Sequence, residues 1–295
     1  MWSFYLKEYL PREMAQCFAA RGWRTLELGE EHAHDLLKCA PTPQQAGAEF
    51  RKYAADLGLA FPQGHFIMDS KGWRPEDQPG RRKFDLAPAD DAEFDAAFET
   101  MQRWVDLFNG LDVRCGVLHI GGVGLAAAGW EAARIFDRRA AALARVADYA
   151  RGGPTLICLE NMGAAAGMHT AADLLAIIRA VNRGQIKICL DTGHAHMAGV
   201  DLPVFIREAG PHPRALHIAD NLGQSDNHML PYGAGAIPWP AVLRALSAVN
   251  YDGLFNFEVP GETKNCPLPA RLAKLDYALI LANDMIGEIT PHKPH

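Results

Sequence analysis

Eight short apolar runs recur along the chain, and their C-terminal ends repeatedly carry a carboxylate or an imidazole. Residues 61–68 contain His65, 112–120 contain His119, 155–160 end on Glu160 and 186–191 end on Asp191. Residues 214–220 contain His217 and 254–258 end on Glu258, while 2–5 and 25–28 complete the set. A charged or imidazole group at the tip of a buried strand is costly unless something there uses it. Amphipathic helical segments lie between the runs, at 11–21, 43–57, 91–108, 130–150, 170–181, 240–249 and 267–285, with a short one at 203–208. The third sets Phe94, Phe98, Met101, Val105 and Phe108 on one face. Strands alternating with helices of this size imply parallel pairing through right-handed crossovers, and continuous apolar runs imply strands buried on both faces. The expected architecture is a (β/α)8 TIM barrel, a single domain over residues 1–295, with its chemical groups on the C-terminal rim.

A formal net charge of −6 argues against broad affinity for nucleic acid or an anionic membrane. No basic stretch followed by an apolar leader opens the chain, and no apolar run approaches ~20 residues, so a cytoplasmic protein without a membrane span is expected. The six cysteines form no CxxC pair and are expected to be reduced thiols. The longest unpatterned stretch, 69–88, holds Trp73 and the triplet Arg81-Arg82-Lys83 and is expected to form a lid over the barrel mouth.

Chemistry concentrates in a few motifs. Glu160 is followed by Asn161-Met162-Gly163, and Asp191 and His194 stand three apart across a turn. His217 and Asp220 precede an Asp226-Asn227-His228 pair and a tight turn through Gly233 and Gly235. Carboxylates and imidazoles at successive strand ends point to a divalent ion as their user. His196, Trp104, Trp130 and Trp239 are expected to be packing residues, and His32, His34, His169 and His212 solvated ones. Trp2, Phe4 and Tyr5 fit a pocket wall or the core equally well, and His292 and His295 fall in a tail expected to fray.

The segments LENMG, LDTGHAHMAG, HIADN…DNH…GAG…PW and FEVPG resemble the xylose isomerase-like barrel superfamily. That superfamily includes sugar and sugar phosphate isomerases and epimerases, inosose-handling enzymes and endonuclease IV, and the resemblance runs from Trp2 through Glu258. The epimerase branch implies one divalent ion on Glu160, Asp191, His217 and Glu258. Such oxygen-rich sites suit Mn²⁺, Mg²⁺, Co²⁺ or Zn²⁺. It further implies an isomerase or epimerase, or a related dehydratase, acting on a sugar, sugar phosphate or inosose through an enediolate, with Glu160 and Glu258 as acid and base. His65, His119 and His194 are then substrate-binding. Resemblance to endonuclease IV implies instead a multi-zinc phosphoesterase acting on abasic DNA, with Asp226 and His228 holding a further ion. The acidic balance and the scarcity of Lys and Arg beyond Arg81–Lys83 weigh against nucleic acid. A non-catalytic metal-binding barrel is the third reading. Relatives of this kind commonly dimerise or tetramerise, so a homodimer or homotetramer is compatible with the family.

Overall fold

In the computed structural model, which describes residues 1–289, parallel strands run in sequential order around a closed ring. They are β1 (Thr25–Leu28), β2 (Ala60–His65), β3 (Cys115–Leu118), β4 (Leu156–Glu160), β5 (Ile186–Asp191) and β6 (Pro213–His217). Two further segments complete the ring through single-residue bridges. Leu254 and Phe257 pair with Ala215 and Ile218, and Trp2 pairs with Glu27. The Trp2 N–H donates to the Phe257 carbonyl at 2.9 Å, so the last segment meets the first.

The expected first strand, 2–5, is therefore corrected: only Trp2 pairs, and Ser3–Leu6 forms a 3₁₀ turn. Ser3 explains the departure. Its hydroxyl accepts the Gly29 N–H at 2.7 Å and lies 2.9 Å from His32 Nδ1, a side-chain alternative to ladder pairing.

Ten helices follow in chain order among the described residues: α1 (Pro11–Ala20), α2 (Glu30–Leu36), α3 (Pro43–Asp56), α4 (Asp91–Leu111), α5 (Ala132–Ala150), α6 (Ala171–Val181), α7 (Thr192–Met197), α8 (Leu202–Ala209), α9 (Trp239–Ala248) and α10 (Leu268–Ile289). The long ones start where their caps predict. Asp90 accepts the Glu93 N–H at α4, and Thr170 with Asp173 forms a capping box at α6. The short helices α2 and α7 occupy the C-terminal rim directly after β1 and β5. His32 and His34 lie in α2 and are buried, correcting the solvated role expected for them; His169 and His212 are half-buried. His292 and His295 lie outside the described residues.

Inside the ring, Val117, Cys158, Cys189 and Ala215 pack together with Cys115, and all six cysteines are free thiols. Residues 69–83 form an ordered excursion rather than an open loop. Asp69 bridges Lys83, the Arg81 guanidinium pairs with Asp69, and Arg74 pairs with Asp35 of α2 at 2.6 Å. The 18-residue window Ala164–Val181 has a mean hydropathy of 1.3, but the regular helix within it is the 11-residue α6. At ~1.5 Å per residue a helix of that length falls short of the ~30 Å apolar layer of a bilayer.

Candidate active site

Glu160, Asp191, His217 and Glu258 are buried, and one ligand atom from each lies within 4.8 Å of all the others. Strand register does this: Glu160 pairs with Cys189 and Asp191 with His217, so the strand ends stop at similar heights. His217 Nδ1 is 2.9 Å from Glu258 Oε2, 3.4 Å from Glu160 Oε1 and 4.0 Å from Asp191 Oδ2. Local chemistry orients each group. Asp191 caps α7 by accepting the His194 N–H at Oδ1, which leaves Oδ2 facing the centre. Asn161 links the neighbouring strand ends, donating to the Asp191 carbonyl and accepting its N–H.

Three of the converging atoms, Asp191 Oδ2, His217 Nδ1 and Glu258 Oε2, are buried and have no hydrogen-bond partner outside the cluster itself. Buried polar atoms without partners are rare, and three aimed at one point suit a cation. Three carboxylates and one imidazole fit a hard or borderline divalent ion. The residues present therefore fit such an ion. Burial pushes Asp191 up to about 7, against the opposing influence of His194 and His228. Burial acts the same way on Glu160, but the imidazoles of His217 and His119 outweigh it and hold that carboxyl well below the usual range.

The remaining candidates ring this core. His65 Nε2 and His119 Nε2 approach Glu160 Oε2 at 3.4 and 3.1 Å. His194 reaches Glu160 Oε1 with Nδ1 at 3.2 Å and Asp226 Oδ2 with Nε2 at 3.4 Å, and His228 Nε2 lies 2.9 Å from the same Asp226 oxygen. All the predicted site residues are thus in one place. Asp220 is not at the centre. Its carboxylate accepts from Trp239 Nε1 at 2.7 Å and from the Ile237 and Asn221 backbones, pinning the glycine turn. Gly235 is obligatory there, since a Cβ would sit 2.0 Å from Asp220 Cγ.

One residue escaped the sequence reading. Glu27 on β1 meets His217 Nε2 at 3.0 Å with Oε1 and accepts from Asn256 with Oε2. The available signal was a lone carboxylate inside an apolar run, the same feature that marks the other strands.

The sequence profile of the xylose isomerase-like TIM barrel family matches residues 17–278. The chain belongs to the xylose isomerase-like TIM barrel family. Among its relatives are the D-psicose 3-epimerase of Agrobacterium fabrum, 29% identical over 110 residues (37% of this chain, 36% of that one), and the L-ribulose 3-epimerase of Mesorhizobium japonicum, 34% identical over 125 residues (42% and 40%). The chain spans between 24% and 43% of the length of the curated relatives it matches. Solved structures of the family extend the likeness over the whole fold. A D-psicose 3-epimerase crystallised with D-fructose superposes with a TM-score of 0.78 at 19% identity, covering 97% of this chain and 98% of that one. An L-ribulose 3-epimerase gives 0.74 at 22% identity, covering 100% and 98%.

Proposed function

We propose that this member of the xylose isomerase-like family is a divalent-metal-dependent sugar epimerase or isomerase, working as one domain. The observation that carries the reading is the convergence of three buried atoms, Asp191 Oδ2, His217 Nδ1 and Glu258 Oε2, with no hydrogen-bond partner outside their own cluster, on one point beside Glu160. The activities of the relatives, 3-epimerisation of D-psicose and of L-ribulose, suggest the reaction class.

Glu160, Asp191, His217 and Glu258 hold the ion. When bound, it supplies Lewis acidity that weakens the C–H bond α to a ketose carbonyl. Glu160 at the end of β4 and Glu258 in the ring-closing segment enter from different sides of the mouth. One carboxylate would remove and keep the α-proton, and the other, carrying a proton of its own, would deliver that one to the opposite face. His65, His119 and His194, which surround Glu160, would donate hydrogen bonds to substrate oxygens. Glu160→Gln and Glu258→Gln should each lower metal-dependent exchange of a ketose C–H with solvent deuterium by about a hundredfold or more while leaving the fold intact. Retained exchange in both variants would end the two-glutamate mechanism.

A second reading, a multi-zinc phosphoesterase acting on abasic DNA, is favoured by one feature. Besides the central set, His65–Glu160–His217 and Asp191–His194–His228 also group within coordination reach. Elemental analysis separates the two. About one equivalent of metal supports the epimerase, whereas two to three equivalents of zinc with cleavage of abasic DNA would replace it.

A further inference from the structure

The N-terminal end of the barrel holds a cavity of about 710 Å³ that the proposed reaction does not use. It opens among the first residues of β1 and β3, Thr25 and Cys115, whereas the ligand cluster lies at the strands' last residues. A volume of this order encloses a small organic molecule. Two of its lining residues, Gln63 and Cys115, stand side by side in register on β2 and β3. Gln63 has no solvent exposure, and its Nε2 donates to the Leu216 carbonyl at 3.2 Å. Its Oε1 has no hydrogen-bond partner. A buried amide oxygen left open in this way calls for a donor, such as the N–H of a ligand.

Cys115 is one of three thiols packed inside the ring, with Cys158 and Cys189. The other two have no solvent exposure, whereas Cys115 keeps 8% and lines the cavity. Its thiol donates to the Arg214 carbonyl at 3.2 Å. A hydrogen bond from Cys158 pulls Cys115 below its ordinary value against the effect of burial, and the Arg214 guanidinium acts in the same direction. The thiolate is the reactive form, so a thiol eased toward it at a cavity wall is placed to meet an electrophilic sulfur. Two guanidiniums stand at the same cavity. Arg214 lies 2.9 Å from Asp252 and Arg114 3.2 Å from Asp112, and all four side chains are at least 39% exposed. Exposed pairs of this kind are weak, so a carboxylate on a ligand can take either arginine from its aspartate.

We propose that Cys115 is a site of reversible S-thiolation by a small peptide disulfide, whose free carboxylates are held by Arg114 and Arg214 and whose amide N–H meets Gln63 Oε1. The Cys115 thiol gives its proton to water, and its sulfur attacks one sulfur of the disulfide. A bond forms between Cys115 and that sulfur, the incoming S–S bond breaks, and the other half leaves with the electron pair as a thiolate that takes up a proton. The disulfide is itself the oxidant. None of these groups belongs to the ligand cluster, so the site stands whether or not the epimerase reading does.

The test incubates full-length, metal-loaded protein with glutathione disulfide or with uncharged hydroxyethyl disulfide. Samples are quenched, alkylated and digested, and the adduct at each cysteine is followed by mass spectrometry. Cys39, exposed and outside the cavity, is the internal reference. Glutathione disulfide should raise the ratio of the Cys115 rate to the Cys39 rate about tenfold over hydroxyethyl disulfide. Arg114→Gln and Arg214→Gln should each reduce that selectivity, Gln63→Met should lower it in part, and a reductant should release the adduct. No adduct at Cys115, equal ratios with the two reagents, or selectivity that survives both arginine variants overturns the site. Equal labelling of Cys158 and Cys189 would mark opening of the barrel and overturn it as well. The comparison of reagents on wild type decides even where a variant fails to fold.

Discussion

Glu27 has both carboxylate oxygens committed, one to His217 and one to Asn256, and no solvent exposure. Its grip on His217 Nε2 leaves Nδ1 to face the ligand cluster, the arrangement by which an outer carboxylate fixes a metal-binding imidazole. Glu27→Gln should therefore weaken divalent-ion affinity by about 10- to 100-fold in a competition titration against a chelating dye, and wild-type affinity would remove this role. His32 offers a pH test away from the ligands. Burial, reinforced by Arg74, pulls it down to about 3. The fold thus holds the neutral ring, so stability is complete above the unfolded pKa of ~6.5 and is lost as pH falls from there toward 3, at up to ~1.4 kcal/mol per pH unit. Thermal unfolding between pH 7 and 4.5 should show a shallower decline for His32→Gln than for wild type; parallel curves would refute it. Neither residue was legible as such, because a polar side chain is read as solvated until its partner is known.

Elements with a clear apolar period were the legible ones. Expected helices at 43–57 and 91–108 appear as α3 and α4, within three residues at each end. Their contact depends on two glycines. A Cβ on Gly47 would meet the Leu107 carbonyl at 2.2 Å, and one on Gly110 would meet the Gln44 carbonyl at 2.1 Å. Backbones this close leave no room for a methyl group, so Gly47→Ala should destabilise by about 1–3 kcal/mol despite the better helix propensity of alanine. Chemical denaturation checks this, and a stabilised variant would show that the helices separate freely. By contrast α2, with sequence EEHAHDL, was invisible as an element. All seven of its residues are buried, and five of them are acids or imidazoles with only Ala33 and Leu36 apolar, so hydrophobic periodicity has little to register.

At the scale of the molecule, ring closure brings the first and last segments together. Trp2 joins Glu27 to Phe257, and strand ends far apart in sequence share one centre. Three buried carboxylates around one imidazole repel one another unless a cation neutralises them. Stripping divalent ions with a chelator should accordingly lower the melting temperature by several degrees, and restoring Mn²⁺ should recover it. A melting curve indifferent to both would count against a tight central ion.

The alternation of apolar strands with amphipathic helices, and the carboxylates and imidazoles at the strand ends, are local patterns, and from them the barrel and a rim of candidate groups could be read; the selection of Glu160, Asp191, His217 and Glu258 among them came from the resemblance to the epimerase branch. Tertiary structure alone decided which atoms of those groups are left without partners and what stands behind them. Glu27 meets His217 across 190 residues of chain, and Trp2 meets Phe257 only because the ring closes. Periodicity records what a residue's neighbours in sequence require of it. A buried polar contact is settled by what lies across the barrel, and no local pattern carries that.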